Sequence, residues 1–133
     1  MESLLPLLLM ISITSVIGLT LRAKKGVIKK RSRLKISEGE FGGKYGSRLT
    51  ILQFSTTFCS ECRTAKSIVK DVVKDSKDIT YVEVDAESNL DLVRRVDIRS
   101  TPTTIFLDSK GFEIARAKGA PKRDQLIKAI KAI

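Results

Sequence analysis

Two cysteines, Cys59 and Cys62, lie three positions apart and are the only cysteines in this chain of 133 residues. A close pair of this kind can serve as a redox-active dithiol, supply two metal ligands, or pack as two small residues in a core. Tetrahedral zinc needs four ligands, whereas this sequence offers two sulfurs and no histidine. Zinc would require carboxylates or a second chain, so we expect no metal site here.

The elements around the pair favour redox chemistry. LTILQFS, at residues 49–55, predicts a strand. Apolar side chains at spacings of three and four then predict a helix from residue 59 to residue 77. Cys59 would begin that helix, where unpaired N–H groups and the dipole stabilise a thiolate. We predict that Cys59 attacks a partner disulfide and that Cys62, one turn later and more covered, resolves the mixed disulfide. Packing in a core would explain Cys62 but not Cys59.

The rest of the pattern predicts an α/β domain with the element order β-α-β-α-β-β-α. Strands are predicted at 79–84, 103–108 and 112–118, and helices at 88–96 and from Pro121 onward. The alternating start implies parallel neighbours joined by a right-handed crossover, and the closing hairpin adds antiparallel strands to the same sheet. Leu90 and Ile133 are expected among the side chains that these helices bury.

Two separated motifs resemble those of thioredoxins. FCSEC at residues 58–62 is followed about forty residues later by STPT at 100–103, and then by GFEIARAKGA at 111–120. The likeness covers about residues 47–133, and two motifs in the right order are far more specific than a lone C-x-x-C pair. The resemblance implies the thioredoxin fold, in which a mixed central sheet is flanked by helices.

The resemblance also implies a function for particular residues. It implies thiol-disulfide exchange through a redox-active Cys59–Cys62 disulfide, and a cis peptide bond between Thr101 and Pro102, where cis costs little. Phe58, Thr101 and Pro102 would then contact an extended substrate by strand addition. It implies no metal and no organic cofactor.

The sequence departs from the family pattern at positions that modulate this chemistry. Gln53 stands where thioredoxins commonly have a buried carboxylate, and Tyr81 stands where many have lysine. Glu61 lies between the cysteines, and its negative charge disfavours a neighbouring thiolate, which makes a dithiol a better reductant. Gln53 cannot carry a proton at neutral pH. We therefore predict a reducing protein that resolves mixed disulfides slowly.

An uncharged run from Ser3 to Leu21 precedes the domain. Nineteen helical residues at about 1.5 Å each just span a hydrocarbon core of about 30 Å. A cleaved signal peptide has a basic start and a small-residue cleavage site, whereas this run follows Met1-Glu2 and precedes RAKKG. We predict a transmembrane anchor over residues 1–22 that contacts membrane lipid.

A basic run follows the predicted anchor and sets its direction. Positively charged flanks are retained on the cytoplasmic side, so we predict a single-pass protein with its domain in the cytoplasm. Residues 23–46 are interpreted as a basic juxtamembrane segment and Gly-rich linker, and 47–133 as the domain. The run consists of Arg22, Lys24, Lys25, Lys29, Lys30, Arg31, Arg33 and Lys35.

The net charge of +10 does not indicate a nucleic-acid partner. Residues 1–48 hold ten Lys and Arg against three Asp and Glu, so most of the basic excess precedes the domain. The domain itself carries no basic stripe, and few aromatic residues interleave with the basic ones. We predict no nucleic-acid binding.

We predict a thiol-disulfide oxidoreductase that mainly reduces protein disulfides, with electrons from a separate reductase or a membrane dithiol carrier. The anchored arrangement also resembles membrane-tethered thioredoxin-like proteins of bacteria. Some of those act outside the membrane on apocytochrome c or other exported thiols. Two alternatives follow: an extracytoplasmic reductase with the opposite topology, and a redox-inactive adaptor that uses the fold for binding.

Overall fold

The structure, a computed structural model, describes residues 4–24, 26–30 and 34–133. Residues 1–3 of the predicted anchor and three members of the predicted basic run, Lys25, Arg31 and Arg33, lie outside the described residues. The helices are α1 Leu4–Ala23, α2 Glu38–Phe41, α3 Ser60–Val73, α4 Leu90–Arg95 and α5 Arg123–Lys131. The strands are β1 Ile28–Lys30, β2 Leu49–Ser55, β3 Ile79–Asp85, β4 Thr103–Asp108 and β5 Glu113–Lys118.

The strands form one mixed sheet in the order β1-β5-β4-β2-β3. Strands β2 and β3 pair in parallel, as the predicted crossover requires, while β4 runs antiparallel to both β2 and β5. All seven residues of β2 are buried, since helices cover both of its faces. The mixed α/β fold with a closing antiparallel hairpin is confirmed.

Successive side chains of β2 point to opposite faces of the sheet, so the strand contributes to two separate core layers. Leu49 and Ile51 pack with apolar residues of α3 and α5 on one face of the sheet. Leu52 and Phe54 pack with apolar residues of α2 and α4 on the other face. A residue at position 53 therefore lies on the same face as α3, the helix that begins at the cysteine pair.

The described residues 26–30 and 34–48 before β2 are folded, which corrects the prediction of a linker over residues 23–46. Strand β1 pairs antiparallel with β5, with Ile28 opposite Ala117. Ile36 and Phe41 are buried in the core layer formed with α4. The folded unit therefore begins well before the predicted boundary at residue 47, because these apolar side chains need the sheet to cover them.

The glycines that indicated a linker have a structural role instead. Gly42 follows α2 with a φ of 70°, and its N–H donates to the Glu38 carbonyl, which closes the helix. The Tyr45 hydroxyl donates to the Ile36 carbonyl at 2.7 Å. Gly42 therefore marks a helix end and a tight turn rather than a flexible tether.

Two side chains predicted to be buried are exposed. Leu90 begins the short helix α4 and is 53% exposed, and Ile133 follows the end of α5 and is 42% exposed. The apolar spacing of a helix assigns a face, but it does not say how far the neighbouring layer extends beyond the helix ends.

Helix α1 has 20 residues and a mean hydropathy of 2.3, and none of its residues is buried. It is long and apolar enough to cross a membrane, a character that a signal sequence near an N-terminus shares.

Acid is expected to weaken the attachment of α5. Arg48 donates to Asp78 at 2.5 Å and to the Ile130 carbonyl at 3.1 Å, and Arg123 donates to Asp71. These hydrogen bonds lower the pKa of both carboxyl groups below the ordinary value of 3.8. A carboxyl whose pKa is lower in the folded state contributes stability above its unfolded pKa, and loses it as pH falls through the folded pKa.

We therefore expect the urea midpoint of the full chain in mild detergent to fall between about pH 5 and about pH 2. The control is the double variant Asp71→Asn/Asp78→Asn, which cannot titrate at these positions and should show a shallower fall. An equal slope for the two proteins would contradict the assignment.

Candidate functional site at the cysteine pair

The cysteine pair lies at the start of α3. Cys59 is the N-cap residue, and its sulfur accepts a hydrogen bond from the Cys62 N–H at 3.1 Å. The two residues form a disulfide with their Cα atoms 5.2 Å apart. Cys62 is 4% exposed, whereas Cys59 is half-buried and so is the more accessible sulfur. Because N–H groups at a helix start stabilise a thiolate, this geometry suits an attacking Cys59 and a resolving Cys62.

The loop before β4 forms a second wall of the site. The Thr101–Pro102 peptide bond is cis, as expected. The Thr101 hydroxyl lies 3.3 Å from that of Thr56, which follows β2. The Pro102 carbonyl accepts the Gly119 N–H at 2.8 Å, which fixes the loop to the end of β5. Hydrogen bonds to two different elements thus hold the loop in place.

Gln53 is fully buried beneath the pair. Its side-chain N–H groups donate to the Cys62 carbonyl at 2.9 Å and to the Ser55 hydroxyl at 3.0 Å. A carboxylate could make neither of these bonds, because it has no donor. The amide therefore fixes the backbone of the second cysteine and offers no proton-accepting carboxylate.

Tyr81 completes this buried network. Its hydroxyl donates to Gln53 Oε1 at 3.0 Å. Burial and the charge of nearby Glu83 raise the pKa of Tyr81, so the hydroxyl keeps its proton at neutral pH. The two positions that depart from the family pattern, Gln53 and Tyr81, are thus in contact and form a neutral amide-phenol pair.

A cavity of about 210 Å³ opens beside the disulfide. Its lining includes both cysteines and four charged residues, of which Lys66 and Glu83 pair at 3.3 Å. Neither Lys66 nor Glu83 belongs to a motif that is visible in the sequence. Glu83 lies directly opposite Gln53 in the β2–β3 register, so explicit pairing of the two predicted strands would have found it.

The sequence model of the Thioredoxin family matches residues 35–132. The chain belongs to the thioredoxin family. The match begins before the predicted domain boundary, in agreement with the folded segment that precedes β2.

Individual thioredoxins are similar over part of their length. Thioredoxin H5 of Oryza sativa subsp. japonica is 32% identical over 77 residues, which are 58% of this chain and 56% of that protein. The thioredoxin of Ophiophagus hannah is 28% identical over 86 residues, 65% of this chain and 80% of that protein. Another relative comes from Mycoplasmoides gallisepticum. Plants, animals and a mycoplasma are thus represented, and a bacterial source stays a prediction.

Solved structures share the fold. That of thioredoxin-2, a component of malaria parasite protein secretion machinery, aligns with a TM-score of 0.59 and 26% identity. The alignment covers 65% of this chain and 84% of that one. This thioredoxin-family protein thus carries its Cys-X-X-Cys pair at disulfide distance, the arrangement of a thiol-disulfide oxidoreductase.

The remaining predicted site residues surround the thioredoxin disulfide. Phe58 is 96% exposed and offers an apolar ring beside Cys59. Glu61 is exposed within the first turn of α3, and it lines a second cavity together with Thr101. The structure therefore places Phe58, Glu61 and Thr101 around the disulfide, and Gln53 beneath it. Their contributions to exchange stay predictions.

Gln53→Asp is expected to speed resolution of the mixed disulfide and to destabilise the domain. A buried carboxylate can accept the Cys62 proton, and a positioned base contributes on the order of 10²–10⁴-fold, so we expect a gain of roughly tenfold or more. The shorter side chain loses both donated hydrogen bonds, at a cost of about 1–3 kcal/mol. Stopped-flow reaction with an aromatic disulfide measures the release of the second thiol.

Gln53→Asn is the matched control for this change. Asparagine has the length of aspartate, keeps an amide and does not titrate, so it should share the stability loss without the rate gain. Equal second-phase rates in the Asp and Asn variants would rule out proton transfer at position 53.

Proposed function

We propose that this thioredoxin-family protein is a membrane-anchored oxidoreductase that reduces protein disulfides. The observation that carries the proposal is the asymmetry of the pair, in which a half-buried Cys59 caps α3 and is bonded to a buried Cys62. Only one sulfur is accessible to a partner, and the second is held in reach behind it. Exchange through a mixed disulfide requires this order of access.

The reaction begins from the reduced pair. The Cys59 thiolate attacks one sulfur of a partner disulfide, and the other partner sulfur leaves as a thiolate and takes up a proton. The Cys62 thiol then loses its proton to solvent and attacks Cys59. The Cys59–Cys62 disulfide forms, and the partner leaves with its second thiol. Two electrons pass to the partner, so a reductase or a membrane dithiol carrier must reduce the pair again.

Substrate recognition is assigned to Phe58, Thr101 and Pro102. The exposed ring of Phe58 supplies apolar contact next to the attacking sulfur. The fixed loop offers the backbone of Thr101, the residue before the cis-proline, to an extended segment of the partner, as in strand addition. Pro102 holds the loop in place, since it has no N–H and its carbonyl already accepts the Gly119 N–H.

The anchor is assigned to α1, with the domain on the cytoplasmic side. Support comes from the length and hydropathy of the helix and from the basic residues that follow it. The alternative is an extracytoplasmic reductase with the opposite topology. A reporter fused after Ile133 that is active in only one compartment separates the two, and activity outside the cytoplasm would overturn the assigned direction.

Insulin reduction by the full chain in mild detergent, with dithiothreitol as electron source, tests the proposed chemistry. We expect catalysis by the native protein and none by Cys59→Ser/Cys62→Ser. Equilibration with glutathione tests the direction, and a potential above about −150 mV would contradict a reducing role. An inactive native protein whose Cys59 resists alkylation after reduction would favour the adaptor alternative.

A further inference from the structure

A very short connection joins α1 to the sheet. The helix ends at Ala23, and the N–H of Gly26 donates to the Lys118 carbonyl at the end of β5. Strand β1 then starts at Ile28 and pairs with β5. Gly26 has a φ of 76°, and a Cβ there would collide with the Ala120 carbonyl. A glycine is therefore required for this close approach.

The loop that contains the cis Thr101–Pro102 bond is also fixed at the end of β5. Gly119 follows Lys118 and donates its N–H to the Pro102 carbonyl at 2.8 Å. Two backbone hydrogen bonds, one on each side of the Lys118–Gly119 peptide, therefore link Gly26, three residues after the end of α1, to the cis-proline loop. Lys24 continues the helical pattern of α1, because its N–H donates to the Thr20 carbonyl at 3.2 Å.

A shared cavity brings the end of α1 next to the cysteine pair. The cavity, of about 260 Å³, is lined by the last turns of α1, by one of the two residues between the cysteines and by the residue before the cis-proline. Its lining includes Leu21, Lys24, Glu61, Ser100, Thr101 and Lys118. Leu21 is the last apolar residue of the uncharged run, so it marks the edge of the hydrocarbon in a spanning helix.

The position of the site relative to a bilayer follows from these contacts. A flexible tether over residues 23–46 would let the site move over roughly 25–30 Å. The described contacts place it beside the last turns of α1 instead. Lys24 and Lys118 at the same cavity add positive charge where anionic headgroups lie.

We propose that the partner disulfide belongs to another membrane protein and lies at the headgroup level of the same leaflet. This inference rests on the membrane-anchored oxidoreductase proposed above. The exchange is the one already described: the Cys59 thiolate opens the partner disulfide, Cys62 closes the Cys59–Cys62 disulfide, and the partner leaves with two thiols. Disulfides far above the bilayer are out of reach of a site held at its surface.

The test compares two substrates in vesicles of phosphatidylcholine and phosphatidylglycerol that contain the full chain. Both are the same transmembrane peptide with a disulfide-closed loop. In one the loop follows the span directly, and in the other a rigid helical spacer of about 30 Å, or about 20 residues, separates them. We expect the reduced protein to react at least about tenfold faster with the loop at the surface. Equal rates would overturn the inference.

A variant with about ten Gly and Ser residues inserted between Ala23 and Lys24 tests the cause. It should lose the preference and keep the rate of insulin reduction, whereas the same residues appended after Ile133 should change neither. A preference that survives the insertion would also overturn the inference. Failure of every protein, the native chain included, to reduce insulin would instead refute the proposed function.

Discussion

Serine at position 59 is expected to abolish disulfide reduction, and serine at position 62 is expected to convert the protein into a trap. A hydroxyl is not ionised at neutral pH and forms no disulfide, so Cys59→Ser removes the attacking group. Cys62→Ser leaves that attack intact and removes only the second step. Turnover of insulin should fall to the uncatalysed background in both variants.

The two variants should differ in what they retain. Cys62→Ser should accumulate a mixed disulfide with insulin chains, close to one per protein molecule, because no thiol remains to release it. Cys59→Ser should accumulate little, since Cys62 is 4% exposed. Non-reducing electrophoresis followed by mass spectrometry identifies the bonded cysteine. Equal trapping by the two variants would contradict the assigned order of attack.

The placement of the cysteine pair and of the cis-proline could be predicted because their determinants are local in sequence. An apolar strand, a helix start at Cys59 and a proline before the next buried strand are each visible in a short window. The predicted strand at 49–55 has the observed bounds, as does that at 103–108. The spacing of apolar residues predicts the type and the bounds of these elements, because each one buries a complete face or is buried on both faces.

The structure beneath the site could not be predicted in the same way. Gln53 and Tyr81 were identified separately as departures, yet their contact joins residues 28 positions apart. That contact depends on the register of β2 against β3, which pairs Ile51 with Tyr81. Gln53 considered alone indicates only that the usual carboxylate is lost. Its contact with Tyr81 shows that a neutral hydrogen-bonded pair stands in place of that carboxylate.

Strand β1 and helix α2 were missed for a related reason. Three residues, two of them lysine, show no alternation, so β1 exists only through its pairing with β5. Ile36 and Phe41 each stand among polar residues and glycines, and only the fold reveals the layer that buries them. This missed segment carries the short connection to α1, on which the inferred position of the site depends.

Removal of one member of the buried Glu113–Arg116 pair is expected to cause the largest loss of stability. The side chains of these residues of β5 are 2% and 5% exposed, and they form two hydrogen bonds of 2.7 and 2.8 Å. Arg116 also donates to the Val96 carbonyl at 2.8 Å, at the end of α4. Glu113→Leu leaves the guanidinium charge buried without its counter-charge, which costs about 3–5 kcal/mol.

The double variant Glu113→Leu/Arg116→Met separates the unpaired charge from the lost contacts. With both charges removed, apolar packing offsets much of the loss, so the double variant should be more stable than Glu113→Leu. Arg99→Ala, which breaks an exposed pair with Asp97, should leave the urea midpoint almost unchanged. Urea denaturation of the full chain in mild detergent, followed by circular dichroism, measures all three. A double variant less stable than Glu113→Leu would mean that the bonds of Arg116 to the end of α4, rather than charge neutralisation, dominate the stability of this region.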